Sequence, residues 1–187
     1  MLIEELFANG TMIMGPSAAD PHRQVGVFAP AVPARIASAR AAELPRFSWL
    51  AGSWRYENAV PATRHSPAYA DAGSLQFAVS ERDGWIGSVS ADGTFTRWLT
   101  FDPLSHTWIY LLMRGSYGML RSKDGWLDDR IAFSGLMTMI GLEREWRMTW
   151  TRRGDDAFGF VNEERAADGT WTYIDEWRFN RVTPLPI

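Results

Sequence analysis

The chain contains no cysteine. That excludes disulfide bridges, thiolate zinc sites and a cysteine nucleophile. Histidine is scarce: His22, His65 and His106 lack spacings such as His-x-His or His-Glu-x-x-His, which set two imidazoles on one metal. No metal and no cofactor are expected. Lysine is nearly missing, since Lys123 stands alone beside the arginines that supply the rest of the 19 basic residues. Net charge is -3 at pH 7, which argues against phosphate neutralisation and a nucleic-acid partner. No apolar run approaches the ~18 residues of a membrane span. The opening MLIEELFANG carries Glu4 and Glu5 where a secretory signal would be basic. The expectation is a soluble cytoplasmic protein with no membrane partner. Gly-x-Gly-x-x-Gly and Walker loops are missing too, and Gly115-Ser116-Tyr117-Gly118 only approximates a nucleophile elbow.

Aromatic residues are abundant: 10 Trp, 10 Phe and 5 Tyr in 187 residues. Rings at this density either fill a strand-built core or line a cavity for an apolar ligand. The chain divides in two by texture. Residues 1–46 form an Ala-rich, Pro-punctuated extension without Trp. Within it Leu2 to Ala8 and Ala34 to Leu44 read as helical, with Pro33 at a first-turn position, and Asn9-Gly10-Thr11 reads as a turn. The arm packs on the domain, crosses to a second subunit or stays partly disordered; a homodimer is the expected assembly.

Residues 47–187 alternate strand-like runs with turn dipeptides. Asp-Gly recurs at Asp83-Gly84, Asp92-Gly93, Asp124-Gly125 and Asp168-Gly169. This dipeptide marks tight hairpins, because type I′ turns need positive φ at both central residues. Strands are expected at 48–58, 73–81, 85–91, 94–101, 106–114, 117–122, 126–134, 142–152, 157–165 and 171–181. Short connections pair sequential neighbours antiparallel. The expected fold is all-β: an up-and-down barrel of roughly eight to ten strands, with a partly helical N-terminal arm. The long connection 57–72, which holds His65, reads as a solvated loop or a lid.

Side-chain parity assigns faces. Leu142, Arg144, Trp146, Met148 and Trp150 share one face of their strand; Trp171, Tyr173, Asp175, Trp177 and Phe179 share one face of theirs. On 106–114, Trp108 and Tyr110 fall together. On 94–101, Arg97 sits among Phe95, Leu99 and Phe101. Arg97, Arg144 and Asp175 are charged intruders on apolar faces, and each needs a partner, water or a ligand. Met119, Met137, Met139 and Met148 read as core or as adaptable cavity lining.

The segment Phe47-Ser48-Trp49-Leu50-Ala51-Gly52-Ser53-Trp54-Arg55 resembles the first strand of lipocalin-like (calycin-type) barrels. It is especially similar to bacterial families, mostly of unknown function, that open with a Gly-x-Trp strand. Trp98-Leu99-Thr100-Phe101-Asp102-Pro103 is similar to a second element of those families, and the resemblance spans about residues 47 to 182. It implies a barrel whose end is plugged by Trp54 beside Gly52, with an Arg of the last strand, Arg178 or Arg181, closing over the indole. Haem-binding relatives of this class use a late-strand His, which this chain lacks.

Two functions from different classes follow. The first is binding of a small apolar or amphipathic molecule by Arg97, Trp108, Tyr110, Arg144, Trp146, Met148, Trp150, Tyr173, Asp175 and Trp177. The second is a cofactor-free cyclase, isomerase or hydratase of a conjugated, polyketide-like substrate. There Asp175 would be general base, Arg144 or Arg97 would stabilise an oxyanion, and Tyr110 or Tyr173 would donate a proton. A third possibility is a filled barrel whose partner binds outside. A cavity of roughly 300 Å³ or more favours the first two.

Overall fold

The computed structural model describes residue 8 and residues 10–16, 24–29, 33–63, 66–80, 84–90 and 96–182. The expectations for Leu2 to Phe7, Asn9, His22, His65 and Asp92-Gly93 lie outside these residues. In chain order the elements begin with β1 (Thr11–Pro16) and β2 (Gln24–Ala29), an antiparallel pair separate from the main sheet. Next come the helices α1 (Ala34–Glu43) and α2 (Pro45–Ser48). The main sheet follows as β3 (Gly52–Val60), β4 (Tyr69–Ser80), β5 (Trp85–Ser90), β6 (Thr96–Asp102), β7 (Thr107–Arg114) and β8 (Ser116–Ser122). It continues as β9 (Trp126–Leu127), β10 (Arg130–Met139), β11 (Leu142–Arg152), β12 (Ala157–Arg165) and β13 (Trp171–Arg181).

Each strand from β4 to β8 pairs antiparallel with its predecessor. β8 pairs with β10, β10 with β11, β11 with β12 and β12 with β13, while β13 returns to β3. The result is a closed up-and-down barrel of ten strands, with β9 hung on the end of β10. Closure removes the edges that an open meander would leave for aggregation. Inside and outside follow from the alternation. In β3, Trp54, Tyr56 and Asn58 are buried while Ser53, Arg55 and Glu57 are exposed.

One end of the barrel is sealed by the helices. Pro45 opens α2, where its missing N–H costs nothing and its fixed φ suits the first turn. The turn places Phe47 and Leu50 fully inside. The Phe47 ring lies 4.5 Å from Trp108, 4.8 Å from Trp126 and 5.9 Å from Trp150, at tilted or edge geometries that suit aromatic quadrupoles. The expected strand at 48–58 is corrected accordingly: its first residues are helix and turn, and pairing begins at Gly52.

Arg181 latches the same end. Its guanidinium lies 4.3 Å from the centre of the Trp54 ring and donates to the carbonyls of Trp49, Ala51 and Asp155. Gly52 has φ of +121°, and a Cβ there would sit 2.9 Å from Arg181 Nη1, so this position serves the close approach of the latch. Arg178 lies on the outer face and pairs with Glu176.

Two connections differ from expectation. The long loop shortens to residues 61–68, because β3 and β4 stay paired out to Val60 and Tyr69. And β10 runs past 134 to Met139, then turns into β11 through Ile140-Gly141. Both turn residues have positive φ, 52° and 77°, the type I′ arrangement. Isoleucine is an unusual choice there, since a β-branched side chain crowds its own carbonyl in this region. Ile140 is 95% exposed, so it recovers little by burial. Ile140→Asn should therefore raise stability by about 1 kcal/mol, read as a higher urea midpoint at unchanged slope.

Candidate functional site

With one end sealed by α2, Trp54 and Arg181, the space that remains lies in the other half of the barrel. A cavity of about 210 Å³ sits there. Its walls are ring and sulfur rich: Tyr110 from β7, Met137 and Met139 from β10, Trp146 and Met148 from β11, Phe160 from β12 and Trp177 from β13. Leu112, Ser116, Leu120 and Ile174 complete the lining, and Arg97, Asn162 and Asp175 supply polarity.

The polar groups form a connected network centred on Asp175. Asn162 Nδ2 donates to its Oδ1 at 2.7 Å; Asn58 Nδ2 and Trp177 Nε1 donate to its Oδ2 at 3.3 and 3.2 Å. Asn162 Oδ1 in turn accepts from Trp146 Nε1 at 3.0 Å, which fixes the amide orientation. Burial raises the Asp175 pKa above the usual carboxylate value, and the three donors and the Arg97 charge offset part of that rise. Arg97 is itself buried, with its guanidinium 5.0 Å from the centre of the Trp177 ring. It also hydrogen-bonds the Tyr110 hydroxyl, whose pKa burial pushes up and Arg97 pulls back.

A β-bulge positions Asp175. Asn162 pairs with Asp175 and Glu163 with Tyr173, so Ile174 has no partner across the strand. The extra residue lets Ile174 and Asp175 both line the cavity. It also reverses the parity of everything before it. Tyr173 is half exposed, and Trp171 lies under the outer-face guanidinium of Arg147, 4.6 Å away. The expectation that Tyr173 shares the Asp175 face is corrected by this bulge.

Of the residues singled out from sequence, the fold brings Arg97, Tyr110, Trp146, Met148, Asp175 and Trp177 to one space. It keeps four others away. Trp108 is buried at the sealed end, its Nε1 3.3 Å from Glu43 Oε2. Trp150 is fully buried and outside the cavity lining, stacked against Phe158 and Phe160 of the neighbouring strand. Arg144 is exposed beyond Trp146 and donates to its neighbour's carbonyl at Glu143, and Tyr173 is turned outward. Sequence reasoning missed Asn58 and Asn162. The signal was present: each is a polar residue on the ring-bearing face of its strand, after Trp54 and Tyr56, and after Phe158 and Phe160. Of the methionines, Met119 is outside and half exposed. Among the described residues, no cluster of three or more His, Asp or Glu could hold a metal ion, and no helix is long and apolar enough to cross a membrane.

A closed antiparallel barrel of ten strands, sealed at one end and hollow toward the other, defines the class of this protein as an all-β up-and-down barrel. No protein-family model matches the chain, and no curated protein matches it. Among solved structures it is similar to Rv2717c from M. tuberculosis, at 14% identity and a TM-score of 0.56, over 75% of this chain and 98% of that one. At that identity the likeness speaks for the fold alone. A protein of unknown function from the DUF3598 family of Nostoc punctiforme aligns at 14% identity and a TM-score of 0.39, over 85% of this chain and 56% of its own.

Proposed function

We propose that the protein binds one small apolar or amphipathic molecule in the open half of its barrel. The observation that carries this reading is the cavity of about 210 Å³, with ring walls and the Arg97–Asp175 pair facing into it. Packing for stability alone would close such a space, since every void forfeits contacts. It would also replace a half-buried carboxylate and a buried guanidinium by hydrocarbon at little loss. At about 210 Å³ the cavity does not reach the roughly 300 Å³ expected from the sequence for the binding and enzyme readings, and that limits the occupant. It falls below the roughly 300 Å³ of drug-sized sites and above the roughly 150 Å³ that admits benzene, so one ring with a short substituent fits.

Native mass spectrometry of the purified chain should show a co-purifying small molecule. Single-ring compounds should quench Trp emission in a saturable way, because Trp146 and Trp177 form part of the wall. An unliganded mass together with flat titrations would end the binding proposal and favour the filled barrel.

The raised pKa of Asp175 favours a second reading, a cofactor-free enzyme in the same space. Asp175 would take a proton, Arg97 would stabilise the oxyanion and Tyr110 would return the proton; Arg144 and Tyr173 have no part in it. Under this reading Asp175→Asn abolishes turnover of a conjugated substrate and leaves most of its binding.

A further inference from the structure

The lining charges, shape and volume together narrow the occupant, given the reading above that the cavity is a binding site. We propose that it takes an uncharged, planar, single-ring molecule with an amide- or lactam-type edge, where a carbonyl oxygen and an N–H lie side by side.

Charge is the first constraint. Arg97 and Asp175 bring one positive and one negative group to the lining, and their formal charges cancel. An ionised ligand would surrender its hydration without meeting a net opposite charge. A cation would also meet Arg97, which already covers the Trp177 ring face that such a ligand would seek. An anion would meet the Asp175 carboxylate, which the N–H groups of Asn58, Asn162 and Trp177 hold in place.

Hydrogen-bonding capacity is the second. A carboxylate accepts about four hydrogen bonds, and three at Asp175 come from these protein donors. The position left over suits a ligand N–H. Donors to a ligand oxygen reach the same region from across the barrel: the Arg97 guanidinium lies over the Trp177 ring, whose Nε1 binds Asp175, and the Tyr110 hydroxyl also lines the cavity. An acceptor beside donors is the complement of an amide edge, and of neither a carboxylate nor an amidinium.

Shape is the third. Phe160 and Trp177 are stacked at 5.7 Å with 22° between their planes, and Trp146 and Tyr110 add two more flat faces. Flat walls and a one-ring volume select a planar ring over a branched or flexible chain.

The test uses four probes of nearly equal size, each a ring with one forked substituent: benzamide, benzoate, benzamidinium and isopropylbenzene. Each is titrated into the full chain and followed by calorimetry and Trp emission. The expected result is that benzamide binds about ten-fold tighter than either ion, and tighter than isopropylbenzene. In Asp175→Asn the lining keeps only the Arg97 charge, and benzoate should gain about ten-fold and draw level with benzamide. Tighter binding of either ion to the parent protein would overturn the neutral class and leave the binding site standing. Equal binding of isopropylbenzene and benzamide would overturn the polar edge alone. Failure of all four to bind would overturn the binding reading itself, and this proposal with it.

Discussion

Trp54→Ala should cost about 4–5 kcal/mol of unfolding free energy, a third or more of the stability of a typical domain. The indole is fully buried. Its Nε1 donates to the Leu50 carbonyl at 2.7 Å, and its ring meets Phe158 at 4.9 Å and Trp49 at 6.2 Å, both edge-on. Truncation would open a void at the sealed end, orphan the Leu50 carbonyl and remove the ring beneath Arg181. Arg181→Ala should cost about 2–3 kcal/mol, because it removes the guanidinium that binds the carbonyls of Trp49, Ala51 and Asp155 and covers the Trp54 ring. The double variant should lose about 1–2 kcal/mol less than the sum, the coupling of cation and ring. Urea unfolding of the four proteins reads the cycle; full additivity would mean that the two residues hold the end independently.

Arg97→Met should cost about 3 kcal/mol at neutral pH, with a loss that shrinks on acidification. The groups facing Asp175 are Asn58 from β3, Asn162 from β12, Trp177 from β13 and Arg97 from β6. Arg97 is the cation among them. Its removal leaves neutral donors to hold a carboxylate that burial already disfavours, so the folded pKa of Asp175 rises further. The sign follows from linkage. A carboxyl whose folded pKa exceeds its unfolded value binds more protons when folded, so its contribution is present below the unfolded value of 3.8 and lost as pH climbs through the raised folded value. The gap between variant and parent should thus widen from acid toward neutrality. Adding Asp175→Asn to Arg97→Met should flatten that dependence. A gap that stays constant with pH would mean that Arg97 acts by packing alone.

The charged intruders show how far a sequence can be read. Arg97 and Asp175 lie on apolar faces by simple alternation, and both reach the cavity. Arg144 satisfies the same rule and does not, because parity reports the face of a strand and says nothing about height along the barrel axis. Trp108 and Trp150 fail for the same reason, fully buried yet outside the lining where Arg144 is exposed. Tyr173 fails for a different one. A bulge adds a single unpaired residue, and no residue type in Tyr173-Ile174-Asp175 announces it. The strand order and the hairpins were legible, since turn chemistry and period-two patterning are local; the closing Arg came from the family resemblance, which left Arg178 and Arg181 open. The plug was not legible: Pro45 marks a first helical turn, but nothing local says that Phe47 enters a barrel.

Ring closure has a consequence during synthesis. Arg181 fastens on Ala51, 130 positions earlier, and β13 lies between β12 and β3. Until the last strand emerges from the ribosome, the nascent chain has nothing to zip the seam, while Trp54, Phe158 and Phe160 already exist without the Arg181, Phe179 and Trp177 that lie against them. Folding is therefore committed late, at the rate set by so distant a pairing. A chaperone that shields exposed indoles during that interval should raise the yield of native protein far more than one added after release.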